Sequence, residues 1–395
     1  MSAGKPSLLR ARGGHDSSRV GMVELFFDLV FVFAVTQLSH TLLAHLDLSG
    51  ALHAGFLLLA VWWVWIYTSW VTNWLDPEKI PVRLMLLALM LGGLVLSASI
   101  PKAFGEHAPW FACAYVAMQL GRTLFMLWAS REAPVLRRNF LRILVWLTAS
   151  ALLWLAGGFC EEGLRWAFWL PAMALEIVSP MLYFRVPGLG RSTTADWNVD
   201  GSHLAERCAL FVIIALGESL LVTGATFSSL TELHWSNGIA FLAAFVGSVA
   251  MWWIYFDTGA ERAHHRITHS DDPGRQARSA YTYFHLPIVA GIIVCAVADE
   301  LAMVHPDHAD NAGIAAIIGG PALYLVGTAL FKWVTNNRIL PPLSHLGGLV
   351  LLAALAVPAF SHAFTALQLG IATTGVMVIV ATWESLALRR PAKSS

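Results

Sequence analysis

Residues 22–44 read MVELFFDLVFVFAVTQLSHTLLA. Glu24, Asp28 and His40 are the only ionisable side chains in that run. At 1.5 Å rise per residue, a helix of this length covers the roughly 30 Å hydrocarbon core of a bilayer. The run is too long for a signal-peptide core and no small-residue cleavage pattern follows it, so it reads as a retained first span. Working outward, comparable apolar runs lie at 52–74, 82–101, 109–130, 139–158, 165–185, 204–227, 237–257, 280–303, 312–333, 343–362 and 366–388. The sequence therefore predicts an all-α, polytopic membrane bundle of about twelve transmembrane helices joined by short connections. Residues 1–21 form a tail, 22–185 a first six-helix half, 186–203 a linker, 204–388 a second half and 389–395 a closing tail.

Composition agrees with that reading. Of the 395 residues, 57% are hydrophobic and 13% charged, about half the charge of an average soluble domain, and mean hydropathy is +0.63. A water-soluble fold could not hide so much apolar surface. Formal net charge is zero, so the basic excess of a nucleic-acid binder is missing. The four cysteines, Cys113, Cys160, Cys208 and Cys295, have no CxxC spacing and indicate neither a disulfide framework nor a zinc site. With the N-terminus placed in the cytoplasm, 22 of the 25 Lys and Arg fall on the cytoplasmic side. They include Lys5, Arg10, Arg12 and Arg19, then Arg131, Arg137, Arg138 and Arg142, then Arg262, Arg266, Arg275 and Arg278. Only Lys102 and Arg165 fall opposite, and Arg122 lies within a span. Cationic loops resist translocation, so this asymmetry places both termini inside a cytoplasmic (inner) membrane and favours an even span count.

The halves carry a faint parallel repeat, 6+6. Trp65-Ile66-Tyr67 recurs as Trp253-Ile254-Tyr255. Gly121 to Phe125 resembles Gly327 to Phe331, and Glu176 corresponds to Glu384. Six spans return the chain to the same side, so such a repeat has its axis along the membrane normal.

The chemical signal is charge inside lipid, which costs about 2.5–3.5 kcal/mol even on the lenient insertion scale. Glu24 and Asp28, at i and i+4, share a helical face that continues towards Gln37 and His40. Glu206 and Arg207 open the seventh span as an interfacial pair, and Glu218 lies about 18 Å further along it. Arg122 and Glu176 both lie about 14 Å from the cytoplasmic end of their spans. Three charges of both signs at similar depth point to one buried polar cluster drawn from Glu24, Asp28, Arg122, Glu176, Glu206, Arg207, Glu218 and Glu384. His264, His265 and His269 read as a solvated loop, whereas His305, Asp307, His308 and Asp310 lack the further ligand a cation site would need. No GxGxxG, Walker, HExxH or GxSxG motif is found, so no catalytic residue, cofactor or metal is assigned.

The segments Val23-Glu-Leu-Phe-Phe-Asp-Leu-Val-Phe-Val32 and Glu206-Arg207 through Leu210-Phe-Val-Ile-Ile-Ala-Leu-Gly-Glu-Ser219 resemble the two signatures of the bacterial low-temperature-requirement protein A (LtrA) family. The resemblance covers nearly the whole chain. It implies a polytopic bacterial membrane protein needed for growth in the cold, with no molecular activity attached. Three functions fit the residues. The first is a proton-linked secondary transporter of a small solute, with Asp28 and Glu218 titrating and Arg122 as their charge partner or as an anion contact. The second is an ion channel, since Phe27-Asp28 at the start of a duplicated six-span protein faintly resembles lysosomal-type potassium channels. The third is a membrane enzyme or sensor acting on lipid, against which stands the absence of a histidine box or nucleophile–base pair. The expected partners are the bilayer and a small solute, ion or proton, with no nucleic acid.

Overall fold

The computed structural model describes residues 7–10, 20–193, 200–257, 278–336 and 340–389. His264, His265 and His269 lie outside these. The described chain is helical throughout, with two isolated β-bridges and no sheet. Twelve helices of 17 residues or more follow in order among the described residues. They are α1 (Met22–Ala44), α2 (Leu48–Thr72), α3 (Ile80–Ser99), α4 (Ala108–Ala129), α5 (Pro134–Phe159), α6 (Arg165–Met181), α7 (Gly201–Ser229), α8 (Trp235–Phe256), α9 (His285–Val304), α10 (Asn311–Asn336), α11 (Leu343–Phe360) and α12 (Ala366–Arg389). A π-helical turn, Arg278–Tyr283, leads into α9.

Eleven of the twelve are long and apolar enough to cross a bilayer. The exception is α6, whose 17 residues contain Pro171 and Pro180. The sequence run at 165–185 overestimated it: after Met181 the chain turns through Tyr183 and Phe184 at positive φ and leaves helical geometry. Pro180 also removes the N–H that would bond the main-chain carbonyl of Glu176, and the Ser179 hydroxyl donates to that carbonyl instead, at 3.1 Å. Outward-facing Leu84, Leu91, Leu152, Leu221, Leu242 and Val350 are exposed. Water would penalise such a surface and lipid tails do not, so the chain is a multi-pass membrane protein.

The helices gather into two compact units. The first comprises Met1–Gln37 and Phe56–Arg207, the second Leu38–Gly55 and Cys208–Ser395. In the first unit α3, α4, α5 and α6 pack in sequence. Their core is aromatic: Trp154 lies 4.4 Å from Tyr115 and 5.2 Å from Trp169, ring centre to ring centre. Trp62, Trp63 and Trp65 on α2 are also buried, so that tryptophan stripe is core. Leu9 bridges Leu75 at the end of α2, and Arg10 N–H donates to the Trp74 carbonyl at 2.8 Å, which ties the N-terminal segment to this unit.

In the second unit α9 packs on α10, α12 on α8, and α11 between α10 and α12. Glycines set the closest approach. A Cβ on Gly291 would sit 2.5 Å from the main-chain nitrogen of Tyr324, and one on Gly327 would sit 2.7 Å from that of Ile288. Small residues at a helix interface let backbones meet and gain dispersion contacts that lipid cannot supply. Gly121, the sequence counterpart of Gly327, has open space beside it, so the matched glycines do different work. We expect Gly291→Val to force α9 off α10. It should cost about 1–3 kcal/mol, read as a lower melting temperature in detergent, whereas Gly121→Ala should be neutral or stabilising.

Candidate functional site

Two polar centres lie inside the first unit, and both draw on α2. The first is built on α1, α2 and the start of α7. At its middle is the Arg207 guanidinium, which is fully buried. Nη2 donates to Asp28 Oδ1 at 2.5 Å, and Nη1 donates to Glu24 Oε1 at 3.1 Å and to the Thr72 hydroxyl at 3.2 Å. The indole of Trp65 donates to the same Asp28 oxygen at 2.7 Å, and its ring lies beneath the guanidinium at 5.7 Å. Arg10 reaches in from the N-terminal segment: its Nη2 donates to Glu24 Oε2 at 2.8 Å, and its Nε is shared between the Thr72 and Leu75 carbonyls. Gly21 N–H adds a bond of 2.8 Å to Oε2, and the His203 ring lies 2.9 Å from Oε1. The side-chain amide of Asn73 holds the Asp200 main chain on both sides, which fixes the start of α7.

Charge balances here. Arg10 and Arg207 match Glu24 and Asp28, and a neutral His203 leaves the group at zero, the condition under which buried ions are tolerable. Glu24 is enclosed by donors on both oxygens. Asp28 is not: its Oδ2 is buried and has no partner among the described residues.

The second centre is built on α2, α4, α5 and α6. The Glu176 carboxylate accepts four hydrogen bonds, which fills its lone-pair capacity. They come from Tyr115 OH at 2.7 Å, Gln119 Nε2 at 2.6 Å, Ser150 Oγ at 2.5 Å and Trp154 Nε1 at 3.0 Å. Arg122 donates to the Val64 carbonyl at 3.1 Å, to the Thr68 hydroxyl at 3.0 Å and to Gln119 Oε1, with the Tyr67 ring 5.4 Å away. Among the described residues it meets no carboxylate directly. The Gln119 amide stands between the two charges, its oxygen towards Arg122 and its nitrogen towards Glu176.

Several sequence expectations change accordingly. Arg207 is not half of an interfacial pair with its neighbour: it turns inward to Glu24 and Asp28, while Glu206 accepts from Val20 N–H at 3.3 Å. The face from Asp28 does not continue as a buried stripe, because His40 is exposed. Glu384 belongs to a third centre, in the second unit, where Lys332 Nζ donates to its carboxylate at 2.6 Å and to the Ile254 carbonyl at 2.6 Å. Glu218 is buried on the part of α7 that belongs to the same unit. The expected residues are therefore divided rather than gathered in one cluster, with Glu24, Asp28 and Arg207 in the first centre, Arg122 and Glu176 in the second and Glu384 in the third. Asp310 caps α10 through Gly313 N–H, and no group of three or more His, Cys, Asp or Glu gathers as metal ligands among the described residues.

Sequence reasoning missed His203, Trp65, Gln119, Tyr115 and Lys332. His203 and Lys332 carried a usable signal, as ionisable groups in or beside spans, His203 closing the 186–203 linker and Lys332 near the end of the 312–333 run. Tyr115 and Gln119 are i and i+4 on the face of α4 that carries Glu176's donors, and Gln119 is three residues before Arg122.

The charge balance around Arg207 yields a direct expectation. Arg207→Met leaves one cation facing two carboxylates and should cost about 3–5 kcal/mol, seen as loss of folded protein after extraction. Adding Asp28→Asn restores neutrality and should recover much of the folded fraction. Failure of the second change to help would mean that Arg207 acts through packing rather than charge.

Comparison with known proteins agrees with these sequence signatures. The family model described as bacterial low temperature requirement A protein (LtrA) matches residues 19–382. An uncharacterized protein of Rhizobium meliloti (strain 1021), RA0937, is 42% identical over 384 residues, covering 96% of this chain and 92% of that protein. No solved structure matches the chain significantly. With the match running from the N-terminal segment that leads into Glu24 to the middle of the last helix, the chain belongs to the bacterial low-temperature-requirement A family.

Proposed function

We propose that this protein is a proton-linked secondary transporter of a small solute in the bacterial inner membrane, with Asp28 as the group that takes up and releases the proton. One observation carries the reading. Asp28 has one oxygen fixed by Arg207 and Trp65 and the other without a described partner. A carboxylate held in that way keeps its position while one oxygen stays available to a proton or to a polar atom of a solute. Glu24 and Glu176 are enclosed by donors and serve as structural counter-ions. Glu218 is the second titrating group of the proposal, and Arg122 the fixed positive charge. In this reading the carboxylates bind and release protons rather than activate a nucleophile, and the chain is a carrier rather than an enzyme.

A parallel 6+6 organisation belongs to the same proposal. In each unit a cation on the fourth helix of six donates to a main-chain carbonyl of the second, Arg122 to Val64 and Lys332 to Ile254. Each is also linked to a glutamate on the sixth, through Gln119 in one case and directly in the other. Twelve crossings with both termini cytoplasmic require α6 to span. Its 17 residues cover about 26 Å and meet the lower limit for a transmembrane helix. Reporter fusions should place the C-terminus inside and the 304–311 loop outside. A C-terminus on the outer face would remove α6 from the spans.

The functional test is growth in the cold, normalised to folded protein in the membrane, in a strain lacking its own copy. Glu218→Gln should insert at normal levels, because its helix remains apolar. Asp28→Asn should insert but fold less well, because Arg207 loses a counter-charge. Per folded molecule both should fail to restore growth, because an amide cannot carry the proton. Full restoration by both variants would overturn proton coupling.

A further inference from the structure

A fourth polar feature, in the second unit, plays no part in the transport reading. Asp299 on α9 borders a cavity of about 30 Å³ lined by residues of α8, α9, α10 and α12. That is room for one water-sized particle. Asp299 accepts no hydrogen bond from any described residue, and no cation is paired with it among them.

The other polar groups around the cavity are oxygens with their protons already committed. Thr373 and Thr374 on α12 line it. The Thr373 hydroxyl donates to the Gly370 carbonyl at 3.1 Å, and that of Thr374 donates to the Ala243 carbonyl at 3.4 Å. Each therefore turns lone pairs, not a hydrogen, to a third party. On α10, Ile317 and Pro321 line the same space. Pro321 has no N–H, so the carbonyl of Ile317, four residues earlier, loses its helical donor. The parallel break in α6 is repaired by Ser179, but no described side chain donates to Ile317. The one hydrogen on a lining heteroatom left to face this space is the thiol of Cys295, a weak donor.

We propose that this chamber binds one sodium ion, held by the Asp299 carboxylate, the Thr373 and Thr374 hydroxyl oxygens and the Ile317 carbonyl. A set of acceptors gathered around one small space calls for a positive charge among them. Oxygen-only ligation selects a hard cation over zinc or copper, which take nitrogen and sulfur. One carboxylate among neutral oxygens balances a single charge, whereas calcium sites recruit several carboxylates. Carbonyls released at a broken helix are a recurrent way to coordinate such an ion within a membrane.

Binding can be read at equilibrium on the full chain in detergent, so the result is separate from the fate of the carrier reading. The melting temperature is followed as choline chloride is replaced by sodium chloride at constant ionic strength and pH. The wild-type protein should gain stability saturably with sodium. Asp299→Asn should lose that gain while melting in choline at or above the wild-type temperature, since the amide removes an unmatched charge. Thr373→Val should raise the half-saturating sodium concentration by about tenfold or more, and this variant decides the matter should Asp299→Asn not fold. Equal melting in the two salts, or a sodium response that survives both substitutions, would overturn the site and leave a water or a protonated Asp299 in its place.

Discussion

Arg207 cannot discharge in a protein, and it lies where no water reaches it, so the surrounding chain has to be arranged around its charge. Two carboxylates one helical turn apart on α1 meet it, each taking one arm of the guanidinium. That single requirement fixes the register of α1 against α7, since sliding either helix by one turn would leave a buried ion unmatched. It also explains why Trp65 and Thr72 are where they are. Seven residues apart on α2, they fall on one face and supply the remaining donor and acceptor. Arg10 then completes the charge count from outside the helices, which gives the N-terminal segment a structural reason to be tied to the end of α2.

The helix α2 serves both centres of the first unit because its faces differ. Trp65 and Thr72 turn to Arg207, whereas Val64 and Thr68 turn to Arg122. Fully 67% of its apolar window is buried, more than in any other candidate span. Neither lipid nor the packed interior offers its polar groups a partner, so their contacts have to come from neighbouring side chains and carbonyls. At the Arg122 centre they close through an amide. Gln119 can satisfy a cation and an anion at once because its two ends have opposite polarity, which separates the charges without leaving either bare. Glu176 thereby receives four donors and has no capacity left for a proton carrier's work, and this is the physical distinction between it and Asp28.

Much of this was legible in the sequence, within definite limits. Composition and run length were enough for a helical membrane bundle, and boundaries of most spans fall within a few residues of the helices. The sixth run was overlong because hydropathy does not register the proline and the turn at Tyr183 and Phe184. The charged residues were recognisable one by one, since lipid makes each of them expensive. Their partners were not. Glu24 and Arg207 are 183 positions apart, and helical periodicity states which face a residue occupies but not which helix it meets. Taking Arg207 as an interfacial charge was reasonable from position alone and misplaced it, and Lys332 was not singled out, yet each is buried in an ion pair. Gln119, Tyr115 and Trp154 escaped notice because neutral polar side chains in a span carry no penalty large enough to stand out.

Proline marks the difference between the repaired and the unrepaired positions in this fold. Each proline inside a transmembrane helix releases a carbonyl four residues earlier, and lipid offers no donor for it. At Pro180 the adjacent serine answers, and the released group belongs to Glu176, whose side chain is itself saturated. Everything around that residue is closed. At Pro321 the residue whose carbonyl is released, Ile317, lines a chamber shared with an aspartate and with two threonines whose protons are spent elsewhere. Nothing among the described side chains closes it. A helix break whose polar groups are all satisfied relieves packing strain and ends there. One whose acceptors converge on a small shared space creates a demand for positive charge, and the proposed sodium ion meets it.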